Sequence, residues 1–228
     1  ANGIQQAIGG DLFQGLATVR CSELGYWNFF APVLDYTSAA AYADSIQAYI
    51  DSGMIRYPSE LYYPIRLKNF GPYSLAGLKE GVSHIELRMV DLNPLVRAGI
   101  DERDVLFSQL FLVWAASVEG PRLSPKDQVQ AVQNFKNAAH YDLKTVKIVM
   151  PDGAAHSVVK SAKRVIAAME EFYADFGESV HDCLAFQRRK FDEPETRYAW
   201  IIREKFGQGF VARGLQLARL RQREYVGE

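Results

Sequence analysis

The chain has little of what marks a secreted, membrane-bound or nucleic-acid-binding protein. It holds only two cysteines in 228 residues, Cys21 and Cys183, which lie too far apart to form a metal motif or a disulfide framework. No apolar run reaches the length of a membrane span, because Ser108 and Gln109 interrupt the longest one. The 26 basic and 27 acidic residues leave a net charge of -1, which argues against nucleic acid or an anionic membrane as a partner. The first residues also lack the basic start and apolar core of a signal peptide, so a cytoplasmic protein is expected.

What the chain does have is enough apolar sequence for a core. Hydrophobic residues make up 48% of it, and its length suits one large domain or two small ones. We expect a sheet-containing region over residues 1–100 and a mainly helical region over 101–228, packed as one compact unit. The predicted strands lie at 16–21, 84–94 and 144–150, and the predicted helices at 38–52, 102–118, 125–140, 155–175, 178–191, 194–206 and 208–224.

The segment from His84 to Pro94 is the most informative stretch. Its alternation predicts a strand with His84, Glu86 and Arg88 on one face. A carboxylate and a guanidinium two residues apart on a rigid strand can hold a metal ion and an anionic oxygen side by side. Taken alone, however, the strand is more typical of a solvated charged pair at a sheet edge, which contributes little to stability.

Two other polar clusters precede this strand, at residues 20–26 and 62–66. Arg20 alone is typical of a surface cation, and Tyr62 alone of a ring that packs and bonds its hydroxyl nearby. Together with the strand, the clusters resemble the C-terminal half of bacterial glutamate–cysteine ligase. The matching segments are Ala17-Thr-Val-Arg-Cys-Ser-Glu-Leu-Gly-Tyr26, Glu60-Leu-Tyr-Tyr-Pro-Ile-Arg66 and Ile85-Glu-Leu-Arg-Met-Val-Asp-Leu-Asn-Pro94, continuing through Gly99-Ile-Asp101 and Leu110-Phe-Leu-Val-Trp114.

The resemblance implies an α+β fold, in which antiparallel strands form part of a glutamine-synthetase-like catalytic sheet beside a mainly helical C-terminal portion. It also implies an ATP-dependent ligase of glutathione biosynthesis that joins glutamate to cysteine through a γ-glutamyl phosphate. Such a reaction uses Mg²⁺, with ATP as a substrate, because hard oxygen ligands and cations must offset phosphoryl charge.

The resemblance also implies residue roles. Glu86 would be a magnesium ligand at the ATP phosphates, and Arg88 would bind the phosphoryl group during transfer. Arg20 would help to hold the anionic substrate or phosphate oxygens. Tyr26 and Tyr62 would close around the carboxylate of the acceptor, cysteine.

One departure from the family limits these expectations. Most of the family's magnesium-binding carboxylates, and a metal-site histidine, lie in an N-terminal half that this chain lacks. We therefore expect the chain to be inactive alone, as a fragment or as a subunit that needs a second polypeptide. Two alternatives remain open: a non-catalytic binding or regulatory subunit that keeps the substrate pocket, and a ligase that joins glutamate to another amine, since Trp27 and Phe29 follow Tyr26 in the acceptor pocket.

Overall fold

A computed structural model describes residues 7–8, 12–13, 17–207 and 209–227 of the chain. Within these residues, helices predominate and the strands form three separate two-stranded antiparallel sheets. The mixture of helices and antiparallel strands predicted from the sequence is confirmed. A single larger sheet is not formed by the described residues. No helix among them is long and apolar enough to cross a membrane.

The elements follow one another from a strand pair to a helical C-terminal region. They are β1 (Ala7–Ile8), β2 (Leu12–Phe13), α1 (Ala39–Asp51), β3 (Ile65–Lys68), α2 (Leu75–Glu80), β4 (His84–Leu87), α3 (Glu102–Ser117), α4 (Pro125–His140), β5 (Lys147–Val149), β6 (Ala155–Ser157), α5 (Val158–Phe172), α6 (Glu178–Asp192), α7 (Tyr198–Phe206) and α8 (Phe210–Val226), with short 3₁₀ turns at Pro58–Glu60 and Pro194–Thr196.

The predicted helix starts are confirmed where a capping side chain sets them. Ser38 accepts a hydrogen bond from the N–H of Ala41 at the start of α1, and Asp101 accepts one from Arg103 at the start of α3. Ser124 and Asp127 form a reciprocal capping box at the start of α4. Each cap satisfies a backbone N–H that the first helical turn leaves unpaired.

The buried apolar residues form two main clusters. One lies between α1, α2 and the chain around β3, and the other between α3, α5 and α6. In the second, the Tyr173 hydroxyl donates to the Leu110 carbonyl over 2.8 Å. Gln128 of α4 connects the early part of the chain to the helices, because its side-chain amide bonds both the N–H and the carbonyl of Leu34, each at 2.9 Å.

Two predicted strands are wrong in part. The described residues of the segment 16–21 form turns, because Ser22 donates its N–H to the Val19 carbonyl and Gly25 donates its N–H to the Ser22 carbonyl. The strand predicted over 84–94 ends at Leu87. The Arg88 N–H still bonds the Pro64 carbonyl at 2.8 Å, but proline has no N–H to return a bond and the ladder stops.

Two predictions for the helical region also need correction. Residues 155–157 form β6 and not the start of a helix, since Gly153, at φ +82°, closes a turn that pairs them with β5. An apolar sequence such as that of α3 predicts a helix at the centre of the core, but Leu110 is its only buried residue in the described structure. Val105 is 50% exposed and Val113 is 52% exposed, because α5 and α6 cover only one side of α3.

Candidate active site

The polar face of the β3–β4 pair brings charged residues together. The register places Arg66 opposite Glu86 and Lys68 opposite His84. The side chains of Arg66, Lys68 and Arg88 all form ion pairs with Glu86. This set of four residues is named the ribbon cluster below.

Glu86 lies at the centre of the ribbon cluster. Its Oε2 is 3.2 Å from Nζ of Lys68 and 3.9 Å from Nη1 of Arg66, and its Oε1 is 3.7 Å from Nε of Arg88. Burial raises the pKa of Glu86, but contact with Lys68 and the charges of Arg66 and Arg88 outweigh it and leave the pKa lowered. The carboxyl group is therefore ionised at neutral pH.

These surroundings do not form a magnesium site by themselves. Mg²⁺ requires several oxygen ligands in near-octahedral geometry. Glu86 is a single carboxylate, and nowhere in the described ranges do three histidine, cysteine, aspartate or glutamate side chains gather as a metal site would need. The three cations around Glu86 also give the ribbon cluster a net positive charge.

Four of the five predicted site residues line one cavity of about 280 Å³. Arg20, Tyr26, Tyr62 and Arg88 come from three segments that are distant in sequence, and they meet at this cavity. Glu86 lies beside it, in contact with Arg88. The other lining residues are Cys21, Trp27, Tyr63, Pro64 and Phe135.

The turn that carries Arg20 is fixed to the end of β4. Arg20 donates from Nε to the Arg88 carbonyl over 2.7 Å, and the Cys21 thiol contacts the Met89 carbonyl at 3.4 Å. The turn also requires glycine at position 25, because a Cβ there would lie 1.7 Å from the Arg20 carbonyl oxygen. The guanidinium of Arg20 is thereby placed next to that of Arg88.

Asn28 fixes the two tyrosines relative to each other. Its Nδ2 donates to the Glu60 carbonyl and its Oδ1 accepts from the Tyr62 N–H, both over 2.8 Å. The rings of Tyr26 and Tyr62 lie 6.3 Å apart between centroids, with the planes tilted by 35°. Nothing in the sequence singled out Asn28, because its partners lie more than thirty residues away.

Arg88 connects the cavity to the ribbon cluster. Its guanidinium carbon is 6.0 Å from the centre of the Tyr62 ring, while its Nε faces Glu86. Burial and the charge of Arg66 lower the pKa of Arg88, and Glu86 only partly offsets them. Nη1 of Arg88 is buried without a hydrogen-bond acceptor, an arrangement that an anion would relieve.

Helix α4 supplies a wall that the sequence did not reveal. Phe135 packs against Trp27 at 6.0 Å in an edge-on arrangement, and Lys136 lies 4.7 Å from the centre of the Trp27 ring. Trp27 is oriented by its indole N–H, which donates to the Ser22 carbonyl over 2.7 Å. The contact joins residues 108 positions apart, which no local pattern indicates.

Comparison with known sequences gives the same family throughout. The family model described as glutamate–cysteine ligase matches residues 29–138. The glutathione biosynthesis bifunctional protein GshAB of Listeria monocytogenes serotype 4b is 31% identical over 200 residues, covering 85% of this chain and 26% of that protein. The glutamate–cysteine ligase of Baumannia cicadellinicola is 27% identical over 201 residues, covering 82% of this chain and 38% of that protein.

Solved structures share the fold. The glutamate–cysteine ligase of Francisella tularensis in complex with AMP superimposes with a TM-score of 0.80 at 19% identity, over 91% of this chain and 47% of that one. A bifunctional glutathione synthetase from Pasteurella multocida gives 0.73 at 17% identity, over 93% of this chain and 27% of that one. The chain spans between about a quarter and a half of the length of these relatives. It belongs to the glutamate–cysteine ligase family and corresponds to one part of its longer members.

Proposed function

We propose that the chain supplies the C-terminal part of an ATP-dependent ligase that joins glutamate to cysteine through γ-glutamyl phosphate. The observation that carries this proposal is the meeting of Arg20, Tyr26, Tyr62 and Arg88 at one cavity, with Glu86 beside it. The AMP bound to the Francisella tularensis relative supports a nucleotide substrate.

The cavity is suited to a small amino acid acceptor. The hydroxyls of Tyr26 and Tyr62 donate to the carboxylate of cysteine, and the rings of Trp27 and Phe135 enclose its side chain. A volume of about 280 Å³ admits an amino acid of that size. The tyrosine hydroxyls and the aromatic walls thus suit a small amino acid acceptor.

The two arginines act on the phosphoryl group. A carboxylate oxygen of glutamate attacks the γ-phosphorus of ATP and ADP leaves; the amine of cysteine then attacks the acyl carbon and phosphate leaves. Arg88 and Arg20 hold anionic oxygens in both steps, and the buried Nη1 of Arg88 is a donor without a protein acceptor.

The catalytic unit is completed by another polypeptide or a longer chain. Mg²⁺, the ion that would offset phosphate charge, needs ligands besides Glu86, so the isolated chain is inactive. The β3–β4 pair contributes two strands to a larger glutamine-synthetase-like sheet. The region before residue 101 contributes the β3–β4 pair and the region 101–228 most of the helices together with the β5–β6 pair, and Gln128 and Leu34 join the two into one unit.

Reconstitution tests this proposal. The chain is co-expressed with the N-terminal half of a bacterial glutamate–cysteine ligase, and ADP release is measured with glutamate and a panel of acceptor amines. We expect cysteine-dependent turnover only when both polypeptides are present. Glu86→Gln abolishes it with the circular dichroism spectrum unchanged, whereas the control Glu80→Gln, at the end of α2, does not. Near-normal turnover in Glu86→Gln would contradict the proposal.

The same assay separates two further candidates. The second candidate function is a non-catalytic binding or regulatory subunit. It is favoured by the ribbon cluster, which has a single carboxylate, and by the absence of a three-residue metal-ligand group among the described residues. Such a subunit would bind cysteine without turnover in any combination. A ligase for another amine would instead turn over faster with a different member of the amine panel.

A further inference from the structure

A second cavity, of about 230 Å³, lies between the segment that follows β4, the first turn of α3 and helix α7. Among the described residues it shares no lining residue with the cavity proposed for the acceptor amino acid. The proposed chemistry gives it no role. Its polar lining includes Asp91, Asn93, Asp104 and Tyr198.

Asn93 presents a hydrogen-bond donor that the protein does not use. The residue is 7% exposed, and its Oδ1 accepts from the Leu95 N–H over 3.0 Å, which fixes the orientation of the amide. Its backbone N–H donates to the Gly99 carbonyl over 2.7 Å. Nδ2 is left buried with no acceptor in the part of the chain that the structure describes. A buried donor without an acceptor costs free energy that a ligand oxygen would recover.

Tyr198, at the start of α7, presents a second unused donor. Its hydroxyl is buried and has no hydrogen-bond partner within the described ranges. Burial and the neighbouring Asp104 carboxylate raise the pKa of Tyr198, so the hydroxyl keeps its proton at neutral pH. Together with Nδ2 of Asn93, it gives the cavity two donors for the oxygen of a ligand.

The carboxylates give this cavity a negative charge. Asp104 is neutralised by Lys190, whose Nζ lies 2.7 Å from Oδ1 of Asp104. Asp91 accepts a hydrogen bond from the Thr18 hydroxyl but forms no ion pair with any described residue. An ammonium group beside Asp91 would balance this charge and make a charge-assisted hydrogen bond.

We propose that this second cavity binds a small α-amino amide, a molecule that carries an ammonium group next to a neutral carbonyl. The ammonium donates to Asp91, and the carbonyl oxygen accepts from Nδ2 of Asn93 and from the hydroxyl of Tyr198. An apolar side chain packs against Ile100 and Ile202, which also line the cavity. The single positive charge selects an amide over a free amino acid, because a free carboxylate would be repelled by Asp91.

An NMR titration of the full chain with L-leucinamide tests the proposal. It is carried out at about pH 6, where an α-ammonium with a pKa of about 8 is protonated. We expect saturable shifts of the side-chain amide signal of Asn93 and of the backbone signal of Tyr198. N-acetyl-leucinamide lacks the ammonium and should bind at least about tenfold more weakly, because the charge-assisted bond is lost. Isopentylamine lacks the carbonyl and should also bind more weakly than leucinamide.

Two matched pairs of variants locate the binding groups. Asp91→Asn keeps an acceptor for Thr18 and removes the charge, so leucinamide affinity should fall by about tenfold. Asp182→Asn, at an exposed position on α6, should leave it unchanged. Tyr198→Phe should weaken binding several-fold, whereas Tyr225→Phe, at a residue 87% exposed, should not.

Four results would each overturn the inference. They are no saturable binding of leucinamide, equal affinities for leucinamide and its acetylated form, shifts confined to the acceptor cavity, and equal effects of Asp91→Asn and Asp182→Asn. The comparison of ligands uses the unsubstituted chain, so it does not depend on the stability of any variant. Thermal unfolding of each variant checks that the fold is retained.

Discussion

The side chain of Asn28 sets the geometry of the cavity through two hydrogen bonds. It bonds the Glu60 carbonyl and the Tyr62 N–H, so the segment that carries Tyr62 cannot shift relative to Tyr26. Asn28→Ala removes both bonds and leaves two backbone groups without these partners, at a cost of about 1–3 kcal/mol. We expect a raised KM for the acceptor amine in the reconstituted enzyme, with a smaller change in kcat. A KM equal to that of the unsubstituted enzyme would contradict this role.

The two tyrosine hydroxyls are testable in the same way. Tyr62→Phe keeps the ring beside Arg88 and removes only the donor to the acceptor carboxylate. Because hydrogen bonds to charged groups contribute about 1.5–3 kcal/mol, we expect cysteine KM to rise by at least about tenfold. Tyr57→Phe, at a residue 64% exposed and outside the cavity lining, is the control. Equal KM values for the two variants would remove Tyr62 from the acceptor site.

Among the elements, α3 depends on a single acidic cap. Asp101 accepts from the backbone N–H of Arg103 and from Nε and Nη2 of the same side chain. Hydrogen bonds from Arg103 outweigh the effect of burial and hold the pKa of Asp101 well below its usual range. The carboxylate therefore contributes stability that is fully present above the unfolded-state pKa of about 4 and is lost as pH falls further.

Asp101→Asn tests this pH dependence. The amide can still cap the helix but carries no charge, so the variant loses most stability at pH 7 and progressively less as the pH falls below about 4 towards the depressed folded-state pKa of Asp101. The free energy of unfolding in urea, measured from pH 7 downward, should converge for the two proteins. Asp175→Asn, at an exposed position between α5 and α6, should give a curve parallel to the original. A constant difference at every pH would exclude this charge effect.

Elements specified by neighbouring residues were predictable from the sequence. The starts of α1, α3 and α4 follow from Ser38, Asp101 and Ser124, each of which acts on an N–H two or three residues ahead. The end of β4 was not predictable, since it depends on Pro64, the residue before the facing strand β3. Strand limits are set by a partner that local sequence does not identify.

The cavity was predictable only through the family pattern. The resemblance grouped Arg20, Tyr26, Tyr62 and Arg88, and the fold brings them together. Phe135 was missed because it reaches Trp27 from a helix more than a hundred residues away. Lys68 was missed because it lies on β3 and Glu86 on β4. Their proximity follows only from the register of the two strands, which the sequence does not show.

For the molecule as a whole, Gln128 is the connection most worth testing. Its amide satisfies both backbone groups of Leu34, and the residue is 8% exposed. Gln128→Leu keeps the volume but leaves a buried N–H and a buried carbonyl unpaired, so we expect a loss of about 2–4 kcal/mol in unfolding free energy. Gln130→Leu, two positions along α4, is the matched control. Similar urea midpoints for the two variants would show that Gln128 does not hold the segment around Leu34 against α4.

The apolar stretch of α3 after its first turn has a practical consequence for handling the protein. From Val105 to Ser117 it carries no charged residue, and Val105 and Val113 are half exposed. A face of this kind attracts other apolar surfaces, including that of a second molecule. The purified chain should bind a hydrophobic dye and form concentration-dependent oligomers in light scattering. Val113→Lys should reduce dye binding and oligomer formation without lowering the midpoint of thermal unfolding. Association between molecules, more than unfolding, will therefore limit work with the purified chain.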